Sequence, residues 1–245
     1  MLLRHGESVG NLARERALAT SAEVVETDGR DADVPLSPRG EHQAESVGRW
    51  LAAQAPADRP ESVWSSPYVR AATTAATALR VAGMDPTVQL DERLRDRDLG
   101  VLDGLTGRGV AARFPAEAQR RARLGKLYHR PPGGESWADV ALRVRSLLAD
   151  LDRTEPGRRV LLVTHDAVVL LLRFVGEGLT EATLLEIERE TVPNASVTRL
   201  LRPTGQGAWT LGGSNDTAHL DGGVDGAGGA LTGTCAHRRW TGSGR

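Results

Sequence analysis

The sequence predicts an α/β fold, a three-layer α/β/α sandwich built around a mostly parallel central sheet. Short apolar segments alternate with longer segments of helical periodicity, which is typical of a parallel sheet covered by helices. The clearest strand is Val-Leu-Leu-Val-Thr at residues 160–164, because a short continuous apolar run suits a strand buried on both faces. With 245 residues, the chain is long enough for one sizeable domain.

The chain begins with a very short apolar segment, residues 1–3, which we interpret as a strand. Because strands usually have about five or six residues, the alternative is a start codon that lies upstream. Residues 12–19 are predicted to be helical, and the polar residues 20–33 to form a surface loop. Ser37 and Pro38 are predicted to open a second helix, as N-cap and first helical residue.

A buried strand is predicted at residues 63–65, followed directly by a helix. Ser66 is the expected N-cap of that helix, with Pro67 at its first position. Gly83 is a typical C-terminal stop. Arg70 should therefore lie in the first turn, where the helix dipole already favours anions.

The second half of the chain continues the alternation. A strand is predicted at residues 86–90, and a basic insertion at about residues 104–133 should contain a helix that begins at Pro115. Ser136 is the expected cap of a helix with a core-facing apolar stripe over residues 137–152. The remaining expectations are a helix from Asp166, a helix within residues 177–190, a strand ending near Leu201 and an antiparallel partner at residues 209–211.

The charge balance argues against nucleic acid as a partner. There are 31 basic and 32 acidic residues and a net charge of −1, so no general polyanion-binding surface is expected. The longest apolar run, residues 160–175, is interrupted by charges and is too short to span a bilayer, and nothing resembles a signal peptide. We therefore expect a cytoplasmic protein that does not bind membranes. The single cysteine, Cys235, excludes an internal disulfide and disfavours a cysteine-based metal site.

The main candidate for chemistry is Arg4-His5-Gly6, which directly follows the first predicted strand. A guanidinium binds phosphate oxygens with a planar fork, glycine lets the backbone approach closely, and histidine can act as a nucleophile near neutral pH. Ser8 and Asn11 could add neutral donors. A triplet this short also arises by chance, so the assignment depends on its neighbours in space.

Three further residues could complete such a site, and each has a purely structural alternative. Arg70 is either a phosphate ligand at a helix start or an ordinary exposed arginine. His165, at the end of the strand 160–164, is either a second pocket histidine or a hydrogen-bonded structural residue. Asp96 lies in a charged run at residues 91–100 that is otherwise typical of a solvated loop.

Taken in order, these motifs resemble the histidine phosphatase superfamily, in its phosphoglycerate mutase-like branch. The resemblance extends from Met1 to about Leu220 and is strongest to small broad-specificity phosphatases. It rests on the following segments: Arg4-His5-Gly6, Ser65-Ser66-Pro67 with Arg70, Asp96-Arg97-Asp98-Leu99-Gly100, Gly134-Glu135-Ser136, and Thr164-His165. It implies a domain at residues 1–220, with residues 104–133 as a cap over the pocket. The Gly-rich tail at residues 221–245 is expected to be disordered.

The resemblance also implies a mechanism without metal or cofactor, acting on a small phosphorylated substrate. His5 would become a phosphohistidine, while Arg4, Arg70 and His165, with Asn11 and Ser8, bind the phosphate. The proton donor falls on Asp96, where the family usually has glutamate; Asp98 and Glu92 stay open as substitutes. Asp166 stands where the family usually has glycine, and a carboxylate there repels phosphate unless it points away or benefits from a helix N-terminus.

Three other functions stay open at this point. A phosphoglycerate mutase shares the site and differs in passing the phosphoryl group to a second hydroxyl rather than to water. A non-catalytic module could bind phosphate esters with the same basic pocket. A metallohydrolase using His5, His165 and acids is less favoured, because the sequence has no recognisable metal-ligand spacing.

Overall fold

The computed structural model describes residues 1–202 and 207–223. Within them one sheet is formed by β1 (Leu2–Arg4), β2 (Ser62–Ser65), β3 (Val88–Leu90), β4 (Val160–Thr164), β5 (Val197–Leu201) and β6 (Thr210–Asp216). The strand order is β3-β2-β4-β1-β5-β6. The first four strands in this order run parallel, whereas β5 is antiparallel to β1 and β6 is antiparallel to β5. The predicted α/β class and mostly parallel sheet are confirmed.

Helices cover both faces of this sheet. They are α1 (Val9–Ala19), α2 (Pro38–Ala53), α3 (Val69–Ala82), α4 (Gly107–Arg113), α5 (Pro115–Tyr128), α6 (Trp137–Thr154), α7 (Asp166–Glu177) and α8 (Glu181–Ile187). Side chains alternate along each strand, so Leu3 packs in the core with α2 and α3, and Leu2 in the core with α6 and α7. The sheet is therefore the middle of three layers, with one hydrophobic core on each of its faces.

The register of β1 and β4 positions the two candidate histidines. Arg4 is the register partner of Thr164, and His5 donates its backbone N–H to the Thr164 carbonyl at 2.9 Å. The residue after each strand therefore emerges at the same carboxyl edge of the sheet. Parallel pairing alone thus brings His5 next to His165, although 160 positions separate them in the numbering.

Several helix boundaries follow local signals in the sequence. Ser37 accepts a hydrogen bond from the Gly40 N–H with Pro38 at the first position of α2, and Ser136 forms a capping box with Asp139 at the start of α6. Gly83 ends α3 in the left-handed conformation, with φ of 63°. These predicted starts and stops are confirmed.

The predicted start of α3 was wrong. The helix begins at Val69 rather than Pro67, and its N-cap is Tyr68, which makes no side-chain capping bond. The Ser66 hydroxyl accepts the Tyr68 N–H at 3.2 Å and lies 2.9 Å from the imidazole of His165. A tertiary contact thus takes the hydroxyl that a local cap would use. Arg70 nevertheless lies in the first turn, as predicted.

The basic insertion folds as α4 and α5 and is tied to the polar segment after α1. Val24 and Leu105 form an isolated antiparallel bridge, and the Thr106 hydroxyl donates to the Ala22 carbonyl at 2.7 Å. A Cβ at Gly109 would lie 2.0 Å from the carbonyl oxygen of Glu23, so the two backbones are in direct contact. The predicted surface loop and the insertion therefore form one cover over the carboxyl edge of the sheet.

The end of the described chain adds an edge strand. The predicted antiparallel partner of β5 is present, but it begins at Thr210 and extends to Asp216, beyond the predicted residues 209–211. A short 3-10 helix, Ala218–Gly223, follows. Residues 224–245, including Cys235 and most of the tail that we expected to be disordered, lie outside the described residues. Among the described helices, none has both the length and the apolar character needed to cross a membrane.

Candidate active site

A cavity of about 510 Å³ opens at the carboxyl edge of β1 and β4, beneath the cover formed by the insertion. Of the predicted site residues, it is lined by Arg4, His5, Ser8, Asn11, Arg70 and Asp96. His165 contacts this group through His5, with ring centroids 5.1 Å apart at an interplanar angle of 63°. All seven predicted residues thus lie in one cluster. A larger cavity of about 770 Å³ lies elsewhere, among Met1, Leu148 and Trp209, and contains none of them.

The backbone around His5 is held from several sides. A Cβ at Gly6 would lie 2.5 Å from the Gly40 carbonyl oxygen, so only glycine fits without a shift. The Gly6 N–H donates to the Thr74 hydroxyl at 3.1 Å, and the Asn194 side-chain amide donates to the His5 carbonyl at 3.1 Å. The imidazole is therefore presented from a rigid turn.

The imidazole of His5 is oriented for attack through Nε2. Its Nδ1 lies 2.6 Å from the Gly6 carbonyl oxygen, which can only accept, so Nδ1 carries the proton and Nε2 keeps its lone pair. Burial is the main cause that lowers the pKa of His5 well below 6.5, and the charges of His165, Arg70 and Arg4 add to it, whereas the Gly6 bond opposes it. His5 is thus neutral near pH 7, which nucleophilic attack requires.

Two buried arginines flank this imidazole. Arg4 donates through Nη1 to the Val192 carbonyl, and its Nη2 lies 3.8 Å from the Asp166 carboxylate. Arg70 is only 4% exposed, and it donates from Nη1 to the Asp31 backbone carbonyl at 2.6 Å. Fixed guanidinium groups of this kind are suited to an anion with several oxygens.

Asp96 is the acid that reaches the cluster. One of its carboxylate oxygens, Oδ2, lies 3.2 Å from Nη2 of Arg70 and 3.4 Å from Nδ1 of His165. The two substitutes kept open by the sequence, Asp98 and Glu92, are exposed, and neither lines the cavity. Asp98 instead accepts the Gly100 backbone N–H at 2.8 Å. Geometry therefore favours Asp96 among the three.

The loop that carries Asp96 is anchored to the start of α6. Arg143 donates to the Arg93 carbonyl at 2.6 Å, to the Asp96 carbonyl at 3.1 Å and to the Glu135 carboxylate at 3.0 Å. The same carboxylate accepts the Asp98 N–H at 3.1 Å. The Gly134-Glu135-Ser136 motif thus holds the acidic loop in place.

Ser8 and Asn11 bind mainly each other. They form a capping box at the start of α1, in which the Ser8 hydroxyl donates to Oδ1 of Asn11 at 3.1 Å. Asn194 also donates to this Oδ1 at 3.1 Å. Because these bonds turn the carbonyl side of the amide to the protein, the NH₂ group of Asn11 is the part left for a ligand.

Asp166 is the first residue of α7, at its N-terminus. Its Oδ1 accepts the Ala167 backbone N–H at 2.6 Å, and its side chain is 51% exposed. The helix position favours the negative charge, yet Asp166 lines the cavity beside Arg4. Of the two conditions that the sequence raised for this carboxylate, the helix N-terminus is met, whereas the side chain does not point away from the cavity.

Three side chains of the site were not predicted. Asp31 fastens Arg70 with Oδ2 at 3.0 Å, Ser66 bonds to His165, and Asn194 connects His5 with Asn11. Asp31 lies in the polar segment 20–33, which the sequence predicts to be a surface loop, and Ser66 was interpreted as a helix cap. Asn194 could have been noticed as the amide between Pro193 and the strand β5, but nothing local indicates its partners.

The wall formed by the insertion is largely basic. Its polar pocket-lining side chains are Arg121, Lys126 and His129, and Lys126 is paired with Glu188. Arg97 faces the same space, and burial together with the nearby Arg121 lowers its pKa. In the described parts of the chain, no group of three or more His, Cys, Asp or Glu side chains is arranged to hold a metal ion.

Comparison with known proteins agrees with this geometry. A family model described as the histidine phosphatase superfamily (branch 1) matches residues 1–217. The chain belongs to this superfamily. The resemblance drawn from the motifs is confirmed, and the chain is an enzyme that acts on phosphate esters.

Members of the histidine phosphatase superfamily that are similar to the chain include mutases and phosphatases. A 2,3-bisphosphoglycerate-dependent phosphoglycerate mutase from Methylobacterium radiotolerans is 34% identical over 194 residues, which is 78% of this chain and 84% of that one. A 6-phosphofructo-2-kinase/fructose-2,6-bisphosphatase from Arabidopsis thaliana is 29% identical over 78% of this chain but only 23% of its own length.

Among solved structures, a mycobacterial glucosyl-3-phosphoglycerate phosphatase superposes with a TM-score of 0.70 at 29% identity. The match covers 88% of this chain and 97% of that one. The same phosphatase has been solved with inorganic phosphate. The similar proteins therefore handle small phosphorylated compounds.

Proposed function

We propose that the protein is a phosphomonoester hydrolase that works through a phosphohistidine on His5, without a metal ion. The observation that carries this proposal is the 2.6 Å contact between Nδ1 of His5 and the Gly6 carbonyl oxygen, from which the tautomer of His5 follows. With Nδ1–H bound to the Gly6 carbonyl, the Nε2 lone pair is free beside two buried guanidinium groups. A neutral nucleophile placed next to fixed positive charge is the arrangement that attack on a phosphate ester needs.

In the first step, Nε2 of His5 attacks phosphorus, and the bond from phosphorus to the ester oxygen breaks. Asp96 gives its proton to the departing alkoxide and becomes a carboxylate. Arg4, Arg70 and His165, with the amide of Asn11, bind the non-bridging oxygens, whose charge is spread in the transition state.

In the second step, water replaces the alcohol. The Asp96 carboxylate takes a proton from this water as its oxygen attacks phosphorus, and the bond to Nε2 breaks to release phosphate and neutral His5. Asp96 is supported in this double role by lining the cavity. Its contacts of 3.2 Å to Arg70 and 3.4 Å to His165 favour the carboxylate form, which the second step uses. Ser8 contributes by holding Asn11.

A phosphoglycerate mutase is the second candidate, because a relative of that activity is 34% identical to the chain. It would use the same phosphohistidine and pass the phosphoryl group to another hydroxyl. For substrates we propose small phosphorylated metabolites, with phosphoglycerate derivatives as the first to test. The basic wall at Arg97 and Arg121 supports an additional acidic group on the substrate.

We also propose that residues 1–220 act as the catalytic domain, with about residues 104–133 as its cap. The cover over the cavity, formed by α4 and α5 with residues 22–25, supports this division. The cytoplasmic location expected from the sequence belongs to the same proposal and is tested by fractionating cells that produce the protein.

Hydrolysis of an aryl phosphate in the presence of chelator tests the proposal, in wild type and in His5→Ala. We expect phosphate release by wild type and a loss of at least about a thousandfold in the variant, since the covalent route disappears. Assays with 3-phosphoglycerate and a bisphosphoglycerate primer separate the mutase, which would move phosphate between hydroxyls faster than to water. Unchanged hydrolysis in His5→Ala, or activity that requires a metal, would refute the proposal.

A further inference from the structure

The two ring nitrogens of His165 have very different surroundings. Nε2 lies 2.9 Å from the Ser66 hydroxyl oxygen. Nδ1 is buried and has no hydrogen-bond partner within residues 1–202 and 207–223. A buried nitrogen without a partner is uncommon and needs an explanation. Which nitrogen carries the proton decides what this ring can offer to a ligand.

The Ser66 hydroxyl has one hydrogen to donate and can accept two. It already accepts the Tyr68 backbone N–H at 3.2 Å, so its own hydrogen is free to point at Nε2 of His165. If His165 instead donated from Nε2, the hydroxyl would receive two N–H groups, and its own hydrogen would lack this buried acceptor. Because Ser66 and His165 are both 0% exposed, leaving the Ser66 hydroxyl hydrogen without an acceptor would cost free energy.

The surroundings of Nδ1 also indicate that Nδ1, and not Nε2, carries the proton. Oδ2 of Asp96 lies 3.4 Å from Nδ1, and Arg70 donates to this same oxygen at 3.2 Å, as expected for an acceptor. In the ligand-free structure Asp96 is the carboxylate partner of Arg70, so a lone pair on Nδ1 would face a carboxylate oxygen, which is repulsive. A proton on Nδ1 makes the contact attractive and directs an N–H toward the cluster.

We propose that Ser66 is a positioning residue that donates to Nε2 of His165 and holds the imidazole in its Nδ1–H tautomer. His165 then presents a neutral N–H donor to the phosphoryl oxygens and to Asp96. The part concerning phosphate rests on the proposed function, whereas the tautomer does not. The site thereby gains a directed donor without a third positive charge next to Arg4 and Arg70.

This role agrees with the burial of the ring. Burial, followed by Arg70 and Arg4, lowers the pKa of His165 well below 6.5, so the ring contributes as a dipole. A neutral imidazole can donate through one nitrogen only. Its orientation and tautomer must therefore be set by whatever bonds to the other nitrogen, which here is Ser66.

Nitrogen-15 NMR of the imidazoles tests the tautomer directly, because protonated and unprotonated ring nitrogens have well-separated shifts. In wild type we expect the His165 signals of an Nδ1–H tautomer, assigned by their loss in His165→Gln. In Ser66→Ala we expect a mixture of tautomers and a fall in kcat of about tenfold or more, since one directed donor to the phosphoryl group is weakened. KM should change less than kcat.

Ser62→Ala is the matched control. Ser62 is a buried serine at the start of β2, the strand that ends just before Ser66, and its hydroxyl donates to the Glu155 carboxylate at 2.9 Å, away from the histidines. It should keep the Nδ1–H tautomer and nearly wild-type kcat. An Nε2–H tautomer in the wild type would overturn the inference even if Ser66→Ala failed to fold. It would also be overturned if Ser66→Ala kept both the wild-type tautomer and the wild-type kcat.

Discussion

Replacing Asp166 by Asn should strengthen the binding of inorganic phosphate. Asp166 stands where the superfamily usually has glycine, and its Oδ2 lies 3.8 Å from Nη2 of Arg4. It therefore both occupies a phosphate-binding guanidinium and repels the anion that would replace it. Asparagine keeps the size and a helix-capping oxygen but removes both effects.

The expected change in phosphate binding can be estimated from the distance between Asp166 and Arg4 and from the exposure of the Asp166 side chain. Unit charges 3.8 Å apart interact by about 2 kcal/mol at an effective dielectric constant of about 40, between the values for water and for a protein surface. Since the Asp166 side chain is 51% exposed, water and salt reduce the usable part to about 1 kcal/mol. That corresponds to roughly fivefold tighter phosphate binding.

The assay is product inhibition of aryl phosphate hydrolysis by inorganic phosphate at low ionic strength. We expect the inhibition constant to fall about fivefold in Asp166→Asn, and the difference to shrink as salt is added. The control is Glu186→Gln, which removes the same charge from an exposed residue of α8 outside the cavity and should leave inhibition unchanged. Equal or weaker inhibition in Asp166→Asn would refute the electrostatic reasoning.

Three further predictions concern the acid, the buried histidines and a close backbone contact. Asp96→Asn should lower kcat about a hundredfold or more for alkyl phosphates but much less for aryl phosphates, which need little protonation; equal losses, or the same pattern in Asp98→Asn, would contradict the assignment. Because burial keeps His5 and His165 neutral in the folded state while the unfolded chain binds protons below about pH 6.5, the free energy of unfolding should fall as pH drops below this value. The free energy of unfolding should change by at most about 1.4 kcal/mol per pH unit for each histidine. Urea denaturation at several pH values should show a weaker pH dependence of this free energy in His165→Gln than in wild type. An unchanged pH dependence would count against the lowered pKa. Gly40→Ala would place a Cβ 1.9 Å from the Glu7 carbonyl oxygen and should cost roughly 3 kcal/mol or more of stability, whereas a Cβ at Gly107 meets nothing within 4 Å; thermal denaturation should therefore separate the two variants, and similar stabilities would refute the contact.

Local patterns in the sequence predict much of this fold. The strand at residues 160–164 and the capped helix after Ser136 depend on short-range signals, an apolar run and a Ser with an acidic residue three positions later, and both match β4 and α6. The placement of His5 and His165 also follows, because residues after parallel strands meet at one edge of a sheet. Elements that depend on local sequence signals, and contacts that follow from strand order, can thus be predicted from the sequence.

The contacts that position the site could not be derived in this way. Ser66 was assigned to a local cap, yet its hydroxyl is used by His165, 99 residues away. Asp31 reaches Arg70 across 39 residues from a segment whose composition indicates only a surface loop. Such pairings depend on how the polar segment and the insertion cover the sheet, and neither spacing nor propensity encodes that geometry.

The kink in α5 shows the same limit. Pro115 correctly predicted the start of this helix, but Gly125 adopts φ of 77° inside it and redirects its last turn. Glycine permits this conformation without requiring it. After this kink His129 is buried and bonds to Glu117 at 3.0 Å, whereas the sequence placed it only within a basic insertion, as part of either a cap or a solvated face.

The most direct test of the account is to trap the phosphoenzyme. The protein is mixed with a reactive phosphate ester, quenched in alkali, where phosphohistidine survives, and analysed by peptide mass spectrometry with fragmentation. We expect a phosphoryl group on His5, formed and lost within the turnover time and absent from His5→Ala. A phosphoryl group on another residue, or steady turnover with none on His5, would contradict it.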